Sequence, residues 1–148
     1  MQEFADKFAL STLTVARYDH WVVSVRPVQT TLGALVLSLG RPCAALGELT
    51  PDEGAELAVI CRDIESVLTE FVEYERINYL CLMMVDHQVH FHVLPRYSST
   101  RSFQGVDFPD AGWPGPPTGL GSGPDDPALV RSISDQLREV FAARRGSR

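Results

Sequence analysis

The sequence predicts one domain of mixed α and β structure, on three observations: five short β-rich runs within 13–39 and 76–94, a long capped amphipathic helix from Thr50, and a second amphipathic stretch after Pro127. At 148 residues, 45% of them hydrophobic, the chain suits a single core. Thirteen basic against nineteen acidic residues leave a net charge of -6, which argues against general affinity for nucleic-acid backbone. A small anionic ligand then needs local positive groups. Cys43, Cys61 and Cys81 are odd in number and lack Cys-x-x-Cys spacing, so a disulfide framework and a cysteine zinc clip are both unsupported. A reducing cytoplasm is the expected compartment: the first residues show no signal-peptide pattern, and no apolar run reaches the roughly 18 residues that span a membrane.

Residues 1–12 carry Phe4 and Phe8 without a decisive period. Leu13 to Tyr18 alternates and Trp21 to Val25 resumes a β-rich run ending at Arg26-Pro27, so the two form a hairpin around Asp19-His20. His20, at the turn, is expected to be solvated or bonded to backbone. Leu32 to Leu39 is the most apolar run and is expected to lie centrally in a sheet. Thr50-Pro51-Asp52-Glu53 combines an N-cap, a proline at the first helical position and a capping box, predicting a helix to about Tyr74. Its stripe of Leu57, Ile60, Ile64, Val67, Leu68 and Phe71 is a core face. Arg76 to Met84 reads as the next strand. Residues 98–126, rich in Gly and Pro, read as a long surface loop in which Phe103, Phe108 and Trp113 are candidates to dock over a cleft. A helix over 127–145 follows, capped by Asp125 or Asp126.

Three of the four histidines fall in His87-Gln88-Val89-His90-Phe91-His92-Val93-Leu94-Pro95-Arg96. From Val89 this reads as a strand that Pro95 stops. Side chains alternate, so His90 and His92 share one face, with Cβ atoms roughly 7 Å apart. Two imidazoles so placed can divide the work on one phosphate, one as nucleophile and one as hydrogen-bond donor. A metal site from His87, His90, His92 and Asp86 lacks an obvious fourth well-placed ligand, so no metal and no cofactor are expected.

His90-Phe91-His92-Val93-Leu94-Pro95-Arg96 resembles the active-site strand of the histidine triad (HIT) family of nucleotide hydrolases and transferases. The resemblance covers roughly Leu13 to Arg96 and implies a HIT-like α+β fold, an antiparallel sheet of about five strands with a long helix and a C-terminal helix, often paired as a homodimer. Within the domain 1–148, the core is then about 13–97. The resemblance makes His90 the nucleophile and His92 the third histidine, and it puts Gln88 where the first histidine stands, giving Gln-x-His-x-His. If Gln88 faces the site, Gln88→His should rebuild a proton donor; if the turn rotates it out, His87 takes the pocket. The family's upstream histidine falls on Pro42, and its glycine-rich phosphate loop is missing from Val85-Asp86-His87-Gln88. Asn78 matches an asparagine that faces the nucleotide. Phosphate neutralisation is then expected from Arg41 and Arg96, with His87 and Trp113 as further substrate contacts.

The expected function is a nucleotide phosphohydrolase or nucleotidyl transferase with a covalent nucleotidyl-histidine intermediate, acting on a nucleoside phosphoramidate, dinucleoside polyphosphate or related compound. The partner is a small-molecule nucleotide, with neither nucleic acid nor membrane. The alternative is a HIT-fold protein that binds a nucleotide or partner with little turnover, and finding His90 buried against apolar neighbours would favour it.

Overall fold

Hydrophobic alternation and a capped helix become, in a computed structural model that describes residues 1–146, a five-stranded antiparallel sheet with helices on both faces. Two short helices, α1 (Gln2–Lys7) and α2 (Leu10–Leu13), precede strands β1 (Thr14–Arg17), β2 (Trp21–Val25) and β3 (Leu35–Leu39). Helix α3 (Pro51–Val72) leads into β4 (Arg76–Leu80) and β5 (His90–Arg96); a small hairpin of β6 (Arg101–Phe103) and β7 (Val106–Phe108) precedes α4 (Pro127–Gly146). The spatial order is β1-β2-β3-β5-β4. β3 is buried along its whole length between β2 and β5, as its composition predicts.

The capping box forms as read: Thr50 Oγ1 accepts from the Glu53 N–H at 3.2 Å while Glu53 Oε1 accepts from the Thr50 N–H at 2.8 Å. The helix stops two residues before the expected Tyr74, where Glu73 turns left-handed at φ 50°. At α4 the choice between two aspartates falls on Asp126, whose Oδ2 accepts from the Leu129 N–H at 3.1 Å.

Four local expectations are corrected. β3 begins at Leu35 because Gly33, at φ 89°, carries a turn in which the Ala34 N–H donates to the Thr31 carbonyl. β4 ends at Leu80 instead of Met84, its last pair being Leu80 with His92. Pro95 does not stop β5. It pairs with Ile77, and because β3 pairing ends at Val93, its missing N–H deprives no neighbour on that side. The loop at 98–126 holds the β6–β7 hairpin, turned by Gln104 and Gly105 at φ 50° and 78°, the signature of a type I′ turn.

The sheet divides its residues by parity. Trp21, Val23, Leu35, Leu37, Phe91 and Val93 face α3, joining Ile60, Ile64, Leu68, Ile133 and Phe141 in the main core. Ser24, Val36, Ser38, His90 and His92 face the other way, where Phe4 and Phe8 form a separate small cluster with Val36. Among the described residues no helix is long and apolar enough to cross a membrane.

Candidate active site

The β3–β5 register sets Val36 opposite His92 and Ser38 opposite His90, so both imidazoles stand on the face away from α3. Their ring centroids lie 5.0 Å apart at 80°. His90 Nδ1 sits 2.5 Å from the carbonyl oxygen of Gln88. A carbonyl only accepts, so in the neutral ring the proton resides on Nδ1 and Nε2 carries the free lone pair. His90 is 2% exposed, with the Phe4 ring centroid 5.0 Å and the Phe8 centroid 5.8 Å away. Burial pushes His92 down to about 4, aided by the Arg26 guanidinium and by His90 and opposed by Asp86, so its ring is neutral at pH 7. His92 Nδ1 is buried without a hydrogen-bond partner among the described residues.

The pair opens on a cleft of about 440 Å³ whose walls include Phe8, Arg26, Met83 and Asp86. Lys7 and Asp86 also line it and pair with each other at 2.7 Å. Arg26 is the residue that sequence reasoning passes over, since the motif Arg26-Pro27 signals only a strand end. The available signal is parity: two residues past Ser24, Arg26 falls on the histidine face once β2 is registered on β3.

Of the other predicted residues, the structure brings none to the cleft walls. The Gln88 side chain clamps the end of β3 instead, its Nε2 donating to the Leu39 and Arg41 carbonyls at 3.0 and 2.7 Å and its Oε1 accepting from the Cys43 N–H at 3.1 Å. His87 is exposed and lines, with Gln88, Pro42 and Met1, a different groove. Arg41 grips Glu53 at 2.7 and 3.0 Å, and that guanidinium together with the Thr50 N–H holds the Glu53 carboxyl at about 2. It fastens the helix start to the end of β3.

Arg96 shares the histidine face farther along β5. Its guanidinium is spent on Asp110 at 2.7 and 3.1 Å, Asn78 Oδ1 at 2.8 Å and the Gly115 carbonyl at 2.9 Å, with Arg96 and Asp110 only 4% and 3% exposed. Trp113 lines a recess of about 480 Å³ with Arg76, Asn78 and Arg96. Phe108 is buried in the main core and Phe103 packs on Phe71 at 5.9 Å, so the docking expected of the loop aromatics is onto core and recess, not over the histidines. The loop is tied down, with the Gln29 N–H donating to the Pro124 carbonyl and Thr30 Oγ1 to the Leu120 carbonyl, both at 2.9 Å. No cluster of three or more metal-ligating side chains occurs among the described residues.

No protein-family model matches the sequence, and no curated protein matches it either. Solved structures do. A histidine triad protein from Bradyrhizobium japonicum superposes with a TM-score of 0.72 at 20% identity over 95% of this chain and 96% of its own. One from Sinorhizobium meliloti gives 0.71 at 22% over 94% of each chain. A hypothetical histidine triad nucleotide-binding protein from Sulfolobus tokodaii gives 0.65 at 15%, over 88% of this chain and 84% of that one. Superposing over most of its length on these structures, with a five-stranded antiparallel sheet, a long helix and a C-terminal helix, the chain has the histidine triad fold.

Proposed function

We propose that the protein is a histidine triad enzyme that cleaves a nucleoside phosphoanhydride through a nucleotidyl intermediate on His90. The observation that carries this reading is the His90 Nδ1 contact with the Gln88 carbonyl, which leaves Nε2 as an oriented nucleophile. The Nε2–P bond forms as the bond from phosphorus to the leaving oxygen breaks, its electron pair departing with the leaving group. Water then attacks the same phosphorus, the N–P bond breaks, and the water proton passes to solvent. Neutral His92 donates to a non-bridging oxygen. With Gln88 clamped to β3 and His87 outside the cleft, no side chain at the start of β5 acts as acid to the leaving group. General acid catalysis is worth roughly 10²- to 10⁴-fold, so a departing phosphate, stable as an anion, is favoured over a departing amine.

A second reading, nucleotide binding with little turnover, is favoured by the burial of His90 beneath Phe4 and Phe8. The catalytic reading requires α1 to shift. That helix has six residues and its charged tie is a half-exposed Lys7–Asp86 pair, worth about 1 kcal/mol or less. Homodimer formation is part of the proposal: β4 is a sheet edge, and Leu82, Met84 and Val85 beyond it are exposed, Met84 and Val85 by 79% and 82%. Sedimentation showing only monomer at micromolar concentration would remove it.

The function is tested by phosphorus NMR of a panel of dinucleoside polyphosphates, nucleoside diphosphates and nucleoside phosphoramidates. The expected result is turnover of the anhydrides well ahead of the amidates. AMP binding by calorimetry without turnover of any member would establish the binding reading instead.

A further inference from the structure

Arg26 is 8% exposed, and it lines the histidine cleft. Its Nη1 donates to the Val28 carbonyl and to Thr30 Oγ1, at 3.3 and 2.9 Å, which fixes the side chain. Its Nε is buried with no partner, and no carboxylate pairs with it among the described residues. The other charged groups lining the cleft, Lys7 and Asp86, neutralise each other. A buried guanidinium held without a counter-ion is costly, and a fold that keeps one beside a cleft keeps it for an anion that arrives.

Its neighbours point the same way. Of four buried side-chain atoms lacking a partner among the described residues, three belong to Ser24, Arg26 and His92, and the β2–β3–β5 register sets Ser24 and His92 on one face across Val36, with Arg26 two residues on. All three can donate a hydrogen bond. Burial lowers Arg26 to about 10, which leaves it charged at neutral pH.

We infer that Arg26 is a specificity-determining residue that holds the phosphate next to the one His90 attacks, so that the cleft selects substrates with an anionic phosphate leaving group over nucleoside phosphoramidates. The inference deepens the phosphoanhydride reading and rests on it for what the anion is part of. It explains how a site without a glycine-rich loop can still neutralise phosphate: one pre-oriented side chain supplies what backbone N–H groups would.

The test uses inorganic pyrophosphate as the probe, with orthophosphate beside it, titrated into the full-length protein by calorimetry and by NMR of the His92 ring. Wild type should bind pyrophosphate at least tenfold more tightly than orthophosphate. Arg26→Gln should lose at least tenfold of that affinity, and Arg26→Lys should recover part of it. Burial is the largest cause of the low His92 midpoint, and bound pyrophosphate should raise that midpoint above about 4 by offsetting Arg26, the next cause, among the charged groups facing the ring, the others being His90, Asp86 and Lys7. In turnover, Arg26→Gln should lower the anhydride-to-amidate ratio of kcat/KM at least tenfold, which a merely structural loss would not do. Wild type that does not bind pyrophosphate, or an Arg26→Gln protein that binds it undiminished, would overturn the inference, and so would an unchanged ratio. Should Arg26→Gln fail to fold, Arg26→Lys and the wild-type His92 shift decide the matter. Arg26-dependent pyrophosphate binding with no turnover of any substrate would sink the enzymatic reading alone.

Discussion

The two faces of one sheet are built to different rules. Against α3 lie Trp21, Val23, Leu35, Leu37 and Val93, at most 1% exposed, with Ile64, Leu68 and Phe141 closing over them. The one polar atom Trp21 brings there is satisfied, Nε1 donating to the Glu53 carbonyl at 2.9 Å. On the opposite face the cover is the six-residue helix α1 with its C-cap, which contribute Phe4 and Phe8, and that face includes nitrogens of Arg26 and His92 and the hydroxyl of Ser24 that have no partner among the described residues. Buried polar atoms without partners cost stability, and here they gather beside the two histidines. Stability is invested on one side, while the other leaves polar atoms unpaired among the described residues.

The sharpest break of that contrast comes from truncating the core. Leu68→Ala should cost about 2–5 kcal/mol in denaturant unfolding, the range for a fully buried leucine. Phe8→Ala, in the thin cluster, should cost less than the roughly 3–5 kcal/mol of a phenyl ring removed from a dense core, and should preserve or raise kcat/KM because it uncovers His90. A complete loss of turnover in Phe8→Ala would mean that the phenyl ring is part of the site instead of its cover. Gln88→His removes three hydrogen bonds at the end of β3 and should destabilise by about 1–3 kcal/mol without accelerating amine leaving groups. A tenfold gain on a phosphoramidate would put residue 88 in the cleft after all.

The smallest effect is on pH dependence. His92 titrates at about 4 in the fold against an ordinary 6.5, so the unfolded chain binds its proton first. Stability from this group is intact above 6.5 and lost as pH falls from 6.5 through 4, by about 1 kcal/mol once partial solvation of the ring is discounted. His92→Gln should flatten that window in pH-resolved melts, and an unaltered slope would assign it to other groups.

These contrasts also show what a sequence discloses. The capping box, the apolar β3 and the stripe on α3 are local patterns whose physics needs no partner, and each forms, β3 losing only its first three expected residues to the Gly33 turn. The pairing of His90 with His92 follows from strand alternation alone. Where Gln88 points is not local: its amide is drawn away by the Leu39 and Arg41 carbonyls, some fifty residues earlier in the chain. Arg41, Asn78 and Arg96 carry the right charges or amides, but Glu53 holds Arg41, Asp110 holds Arg96, and Arg96 in turn donates to the Asn78 Oδ1, which only tertiary contacts reveal. Arg26 is the converse, a guanidinium that no carboxylate pairs with among the described residues. The Gln104-Gly105 turn was legible in principle, being a φ-permissive pair between Phe103 and Val106, but the surrounding Gly and Pro mask it.

The central claim is that His90 Nε2 is the nucleophile, and trapping the intermediate tests it most directly. Protein mixed with a dinucleoside polyphosphate and quenched within its first turnover at neutral to alkaline pH should show, by intact mass, one nucleotidyl group that maps to His90. The adduct should be absent from His90→Ala and should accumulate at a rate consistent with steady-state turnover. An adduct that survives His90→Ala, or steady turnover with no adduct in wild type, would contradict the account.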